Sequence, residues 1–250
     1  MEQSFEEKLI IDSRDVDGYG HCRPSALLGH LQETATQAAE THGFGRKLLL
    51  DQYGVFWVLT RIWFRLERPL RWEQELTVRT WHRGGKGAIM YRDFDLLVDG
   101  TPVGEAVSAW VLMNHEDGRI EKLSHVPELS ANGGGPLCKS IILSKLRMPK
   151  ELTLAEHRLL RYSDTDINGH VNNTKYADFA CDALHVEKRK REEYISEMQI
   201  GYLAQCWPGE ELSVLTAEDE ERWLVRGEDR EHTPRFDASL TMGRLSSGEG

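Results

Sequence analysis

The ten residues from Asp164 to Asn173, DTDINGHVNN, hold two carboxylates, one imidazole and three carboxamides. That set matches what proton transfer at a carbonyl group requires. An imidazole moves the proton, a carboxylate fixes its tautomer, and amide donors stabilise charge growing on oxygen. Asp166, Asn168 and His170 are the candidates for these roles. The segment feeds an apolar run with helical spacing, so backbone N–H groups at the start of that helix, near Val171, Asn172 and Asn173, are candidate donors to a carbonyl oxygen. Turn formation alone accounts for an Asp or an Asn taken singly, because their side chains bond nearby backbone. A turn does not also need His170.

A related segment, Asp15-Val16-Asp17-Gly18-Tyr19-Gly20-His21-Cys22, lies near the N-terminus at a constant offset of 149 residues (164 − 15 and 170 − 21). Self-similarity on this scale reads as two copies of one domain. Tyr19 stands where the second copy has Asn168. Chemistry that needs the carboxamide therefore belongs to the C-terminal half, and the N-terminal half is expected to shape a pocket. Each turn is followed by a helical pattern. The first opens at Pro24, repeats through Leu27, Leu28, Leu31, Ala35 and Ala38, and stops at Gly43. The second is expected to be capped by Asn172 or Asn173 and to run through Tyr176, Ala177, Ala180 and Leu184.

Strand patterns follow both helices: residues 55–65, 75–82, 88–98 and 104–114 in the first half, and 197–203, 211–217, 221–227 and 235–242 in the second. Turns such as Asp99-Gly100 and Asp117-Gly118 fit antiparallel hairpins. Gly84-Gly85-Lys86-Gly87 lacks phosphate-loop spacing and is read as another hairpin turn. Ala131-Asn132-Gly133-Gly134-Gly135-Pro136 reads as linker. The expected organisation is α+β, one buried helix against a curved antiparallel sheet, done twice, with domains at 1–130 and 151–250 and a linker at 131–150.

Several function classes are disfavoured. Asp164, Asp166, Asn168 and Gly169 match four positions of a calcium loop, but Lys175 occupies the position of the bidentate glutamate, so no metal is expected. A net charge of −10 disfavours nucleic acid as a partner. No run reaches the roughly 18 apolar residues of a membrane span, and the acidic start favours a cytoplasmic protein. Cys22, Cys138, Cys181 and Cys206 form no CxxC pair and are expected to be reduced thiols. Nothing calls for a nucleotide, flavin or other cofactor. Lys188-Arg189-Lys190-Arg191 is the one strong basic cluster, readable as a solvated helix end or as a docking patch for an acidic partner.

The string RYSDTDINGHVNNTKYADFACDAL, Arg161 to Leu184, resembles the signature of the acyl-acyl-carrier-protein (acyl-ACP) thioesterases of plants and bacteria. The resemblance extends to Trp110-Val111-Leu112-Met113 and Gly209-Glu210-Glu211-Leu212. It implies a tandem hotdog fold and hydrolysis of fatty acyl-ACP to free fatty acid and ACP, which ends fatty acid synthesis. It places the functional Asp, Asn and His at Asp166, Asn168 and His170. It also aligns Gly201 to Cys206 with a strand that carries Glu, followed in plant members by Cys. Here those two positions are Gln205 and Cys206, and a carboxamide cannot accept a proton as a base.

Two mechanisms stay open on these residues. In one, His170 or Asp166 activates water; in the other, Cys206 is a nucleophile activated by His170 and oriented by Asn168. Phe56, Trp57, Ile62, Trp63 and Phe64 are candidates for an acyl pocket, with plain core packing as the alternative. The resemblance also implies a basic docking surface for ACP, which carries a phosphopantetheine arm, and Lys188 to Arg191, just beyond the second helix, are the first candidates for it. Acyl-CoA hydrolysis, a hotdog dehydratase activity and a non-catalytic acyl-binding role are the alternatives. Oligomeric state is left open, a homodimer included.

Overall fold

The computed structural model describes residues 4–131, 141–219 and 222–245. Residues 132–140 of the expected linker, Cys138 among them, lie outside them. The helices are α1 (Pro24–Thr41), α2 (Arg46–Tyr53), α3 (Pro127–Ala131) and α4 (Lys175–Ala183). The strands are β1 (Ser4–Ile10), β2 (Val55–Leu66), β3 (Glu75–Lys86), β4 (Ile89–Val98), β5 (Thr101–Asn114), β6 (Ile120–Glu121), β7 (Thr153–Leu159), β8 (Glu193–Tyr202), β9 (Glu211–Asp219), β10 (Arg222–Glu228) and β11 (Pro234–Arg244). All eight expected strands are present, and every strand pairing with a defined register is antiparallel.

Two compact units result. Unit 1 comprises Met1–Ile11, Gly29–Phe64 and Glu73–Leu143; unit 2 comprises Asp12–Leu28, Arg65–Trp72 and Ser144–Gly250. This grouping departs from chain order at the first turn, and long-range bonds explain why. Cys22 N–H donates to Leu70 O (2.8 Å), Trp72 N–H to Gly20 O (3.1 Å), and the Tyr19 hydroxyl to Arg189 O (3.0 Å).

In unit 1 the strands run β1-β3-β4-β5-β2, with β6 beside β5. The buried face of α1 presents Leu31, Ala35 and Ala38, at the expected spacing. Thr34 Oγ1 and Gln37 Nε2 donate to the Glu7 carboxylate of β1 at 2.6 and 3.1 Å, tying helix to strand. The β3–β4 hairpin turns at Gly87, whose φ of +68° suits glycine. Leu49, Val55, Leu112, Val126 and Leu129 form one buried cluster, joined by Met90 at the start of β4.

In unit 2 the order is β8-β11-β10-β9-β7, and α4 packs on β9, β10 and β11. Tyr176 on α4 meets Phe179, Tyr202 and Phe236 at ring-centroid distances of 5.8, 5.7 and 5.0 Å. Phe179 and Phe236 are fully buried, each worth roughly 1.5–3 kcal/mol in apolar transfer. This second helix is short, 9 residues against 18 in α1. It also begins later than expected. Thr174 is the N-cap, and Asn172 acts one step earlier by accepting the Thr174 N–H and hydroxyl, both at 2.9 Å.

Candidate active site

The Asp-rich turn is built by backbone and side chain together. Thr165 and Val171 form an antiparallel bridge that closes a loop of five residues between them. Inside it Asp166 N–H donates to His170 O and Gly169 N–H to Asp166 O, both at 3.0 Å, and Asn168 N–H donates to Asp166 Oδ1 at 2.8 Å. Gly169 sits at φ +79°, where a side chain would be strained. Asp164 anchors the outside of the turn: its Oδ2 accepts Arg161 N–H and its carbonyl accepts Asn172 N–H, both at 2.8 Å.

This scaffold brings Asp166 and His170 together. Asp166 Oδ1 lies 3.9 Å from His170 Nδ1, with both side chains less than one-fifth exposed. Nδ1 is also 3.2 Å from Val171 O. A carbonyl only accepts hydrogen bonds, so the contact with Val171 O puts the proton on Nδ1 and leaves Nε2 its lone pair, with the Asp166 carboxylate close by. Trp207 braces the ring edge-on, with centroids 5.9 Å apart at 88°. Asn168 sits exposed at the tip of the same turn.

The segment expected to supply Glu and Cys is held beside the turn, since Val171 N–H donates to Cys206 O at 2.8 Å. Arg235 reinforces it from the other side. Its Nη1 donates to Gln205 O at 3.0 Å, while its Nη2 pairs with Asp229 at 2.8 Å. The Gln205 side chain is exposed. Cys206 is fully buried, and burial pushes its thiol pKa up, against a weaker lowering by the hydrogen bond to the Tyr176 hydroxyl. A buried thiol of raised pKa is a poor nucleophile, so this environment argues against the acyl-enzyme mechanism.

Three other expectations need correction. The N–H groups of Val171 and Asn172 are committed to Cys206 O and Asp164 O, so they are not open donors for a substrate oxygen. The fold uses them to fasten the turn. Asn173 lies in the turn that leads to Thr174 and is half-buried.

In the basic cluster, Lys188, Lys190 and Arg191 are exposed but Arg189 is not. Its side chain is 8% exposed, its guanidinium is ion-paired with Asp17 and stacks 5.0 Å over the Tyr19 ring, and its Nε donates to Glu193 O at 2.9 Å. Arg189 is a strut, not part of a docking patch.

Of the aromatic residues proposed for an acyl pocket, one lines a cavity. Unit 1 holds a cavity of about 190 Å³ with Trp57, Phe44, Met90, Trp110 and Leu129 in its walls. Ile62, Trp63 and Phe64 are buried in succession, which removes them to the core, and Phe56 lies under the Arg46 guanidinium at 5.1 Å. Sequence reasoning missed His42, His82 and Arg92, which line the same cavity. The available signal was a cation on the inward-facing phase of β4, in step with Met90, Phe94, Leu96 and Val98. Unit 2 has a cleft of about 340 Å³, lined by His21, Asp164, Lys175 and Arg189 among others, but not by Asp166 or His170.

Family models match both halves of the chain: the acyl-ACP thioesterase N-terminal domain over residues 2–129 and the C-terminal domain over 149–242. The chain belongs to the acyl-ACP thioesterase family. Among named relatives, a dodecanoyl-[acyl-carrier-protein] hydrolase of Cinnamomum camphora is 29% identical over 232 residues, 85% of this chain and 59% of the relative. A palmitoyl-acyl carrier protein thioesterase of Arabidopsis thaliana is 28% identical over 229 residues, 85% of this chain and 55% of the relative. The chain thus spans little more than half the length of these curated relatives. An acyl-ACP thioesterase from Bacteroides thetaiotaomicron superposes with a TM-score of 0.87 at 22% identity, covering 96% of this chain and 98% of the other. A 12:0-ACP thioesterase from Umbellularia californica gives 0.83 at 22%, covering 97% and 98%. At that identity the likeness establishes the fold, a tandem hotdog of α+β class.

Proposed function

We propose that this chain hydrolyses the thioester of fatty acyl-ACP, releasing free fatty acid and ACP and so ending fatty acid synthesis. The observation that carries the reading is the Asp166–His170 pair, in which the Val171 carbonyl holds the proton on Nδ1, the Asp166 carboxylate stands 3.9 Å away, and the Nε2 lone pair is left free. Family membership supplies the thioester and the carrier.

In the proposed reaction, Nε2 of His170 takes a proton from water as the oxygen adds to the thioester carbonyl. Asp166 stabilises the resulting imidazolium. The exposed Asn168 carboxamide donates to the oxyanion, a contact worth on the order of 100- to 1000-fold in rate when well placed. Collapse of the tetrahedral intermediate breaks the C–S bond, and the phosphopantetheine sulfur leaves with the proton held on His170. Gln205 orients water or substrate but takes no proton. Cys206 is support beneath the turn. The cavity of unit 1 is proposed as an acyl-binding cavity, with Trp57 the one residue of the expected acyl-pocket set in its lining. The domain roles are proposed as 1–130 for the pocket and 151–250 for the chemistry, which the ends of the two family-model matches support.

Docking of ACP is assigned to Lys188, Lys190 and Arg191, whose exposure and charge suit an acidic helical carrier. The test is purified protein with a chain-length series of acyl-ACP and matched acyl-CoA, measuring released fatty acid for wild type and His170→Ala. Release from acyl-ACP that drops by at least 100-fold in the variant is expected. Equal turnover by the variant would reject the site, and a preference for acyl-CoA would reject the carrier.

A further inference from the structure

The cavity of unit 1 has an unusual wall for an aliphatic guest. Alongside Trp57, Met90 and other apolar groups it is lined by Arg46, Arg92, His42 and His82, and no carboxylate is among its lining residues. In a protein of net charge −10, a cavity lined by two guanidiniums and no acid is a marked local reversal. Arg92 is the decisive residue. It is 5% exposed, and its one hydrogen bond among the described residues runs from Nη1 to Thr80 Oγ1 at 3.3 Å.

Comparison with Arg83 on the neighbouring strand shows what a satisfied guanidinium looks like in this fold. Arg83 places Nε at 3.0 Å from both oxygens of Asp93 and adds Ile141 O. Asp93, next to Arg92 in sequence, is fully buried and committed to that pair. Arg92 feels its charge but makes no ion pair with it among the described residues. Burial lowers the Arg92 pKa to about 10, which still leaves it charged at neutral pH. Arg92 spends one of its five N–H donors on Thr80 and lines a cavity that has no acid among its lining residues, so the guanidinium is placed to receive an anion there. His42 lies close enough to feel the guanidinium: burial, then the Arg92 charge, lowers its pKa, so it is a neutral ring. His82 Nδ1 accepts Gly84 N–H at 3.1 Å, which puts the ring proton on Nε2.

We infer that this cavity binds an aliphatic carboxylate, with the chain against Trp57 and Met90 and the carboxylate on the Arg92 guanidinium. The planar fork of Arg matches a carboxylate in a two-bond geometry. A cavity of about 190 Å³ takes roughly seven or eight carbons, scaling from an engineered cavity of about 150 Å³ that holds benzene. The inference rests on the proposed acyl-binding role of the cavity and adds a recognised head group. That group has two sources: a released fatty acid that re-enters the site, or the far end of an ω-carboxyacyl chain carried by ACP.

Binding is measured directly by calorimetric titration of the whole protein with octanoate and with octan-1-ol, which shares the chain but not the charge. Wild type, Arg92→Met and Arg92→Lys are compared, with circular dichroism and thermal unfolding to verify folding. The expected result is a preference of about 10- to 100-fold for octanoate over the alcohol in wild type, kept in part by Arg92→Lys and lost in Arg92→Met. Equal affinities in wild type, or an unchanged preference in folded Arg92→Met, overturn the inference. These titrations need no turnover, so their failure is separable from failure of the thioesterase reading.

Two kinetic arms then identify the source. Competitive inhibition of acyl-ACP hydrolysis by octanoate that vanishes in Arg92→Met marks released product. A higher kcat/KM for an ω-carboxyacyl-ACP than for its plain counterpart, reversed in Arg92→Met, marks substrate. Independence from Arg92 in both arms overturns the assignment.

Discussion

Asp166→Asn tests the proposed division of labour most directly, because the substitution changes charge while keeping shape. Asp166 does two jobs in the turn. Its Oδ1 accepts the Asn168 N–H at 2.8 Å, and the same oxygen stands 3.9 Å from His170 Nδ1. An asparagine oxygen preserves the first contact, so the turn should persist. The charge is what disappears. At 3.9 Å and an effective dielectric constant of about 20, a unit charge stabilises the imidazolium by about 4 kcal/mol as an upper bound. That energy corresponds to about 1000-fold in rate. The bond from Nδ1 to Val171 O survives the substitution and holds the tautomer, which reduces the loss. The expected result is a kcat for acyl-ACP lowered by about 100- to 1000-fold, with KM and thermal stability nearly unchanged. Asp166→Ala should lose the same rate and in addition about 1 kcal/mol of stability, because the Asn168 N–H loses its acceptor. The assay is free-acid release at saturating acyl-ACP, with thermal unfolding measured in parallel. An Asp166→Asn enzyme within about threefold of wild type refutes the imidazolium argument. A rate loss that tracks unfolding shows the carboxylate to be a turn-builder only.

Cys206→Ala should keep kcat within about threefold and trap no acyl-enzyme in mass spectrometry, at a stability cost of about 1 kcal/mol for the lost Tyr176 partner; a covalent acyl adduct on the wild-type thiol would restore the nucleophile mechanism. Gln205→Glu should raise kcat by about tenfold by adding a base where the family carries one, read out as initial rates across pH. Reversing the charges of Lys188, Lys190 and Arg191 together should raise KM for acyl-ACP but not for acyl-CoA, and the difference should fade as salt shortens the screening length toward about 3 Å at 1 M. Arg189→Glu should instead destabilise the fold by about 3–5 kcal/mol in denaturant titration, because it leaves Asp17 facing a like charge at a mostly buried site.

What the sequence made legible was local. Leu27, Leu31, Ala35 and Ala38 mark one face of α1, and alternating runs ending in Asp99-Gly100 or Gly87 mark hairpins, because period and turn chemistry are written in adjacent residues. Edge strands were harder. β1 (SFEEKLI) and β7 (TLAEHRL) interleave charges with apolar residues; β1 exposes every second position and β7 five of its seven, which is how a sheet edge avoids further pairing and also how it loses its hydrophobic signal. In the site, the Asp166–His170 pair is only four positions apart and could be anticipated. The commitment of Val171 N–H to Cys206, and of Arg189 to Asp17 across 172 positions, follows from tertiary folding and leaves no local trace. The run Ile62-Trp63-Phe64 misled for a related reason: a strand covered on both faces looks as greasy as a strand lining a pocket.

The two copies of the turn differ in what they leave free for chemistry. Their backbones are wired alike at the same offset of 149 residues. Asp17 N–H donates to His21 O as Asp166 N–H does to His170 O, Gly20 N–H to Asp17 O as Gly169 N–H to Asp166 O, and Arg23 N–H to Asp15 O as Asn172 N–H to Asp164 O. A scaffold shared so closely cannot by itself distinguish a reactive site from an inert one. The side chains do. In the first copy, Asp17 Oδ1 accepts the N–H groups of Tyr19 and His21 at 2.8 and 3.2 Å, and Oδ2 is taken by Arg189. Its carboxylate is spent on structure. His21 is buried, and burial lowers its pKa, so it stays neutral with no hydrogen-bond partner at Nδ1 among the described residues. In the second copy no arginine is paired with the carboxylate among the described residues, the imidazole is partly open, and a carboxamide replaces the phenol. Duplication supplied two equivalent turns, and the Arg189 strut accounts for why the first serves the fold while the second retains a carboxylate beside its imidazole.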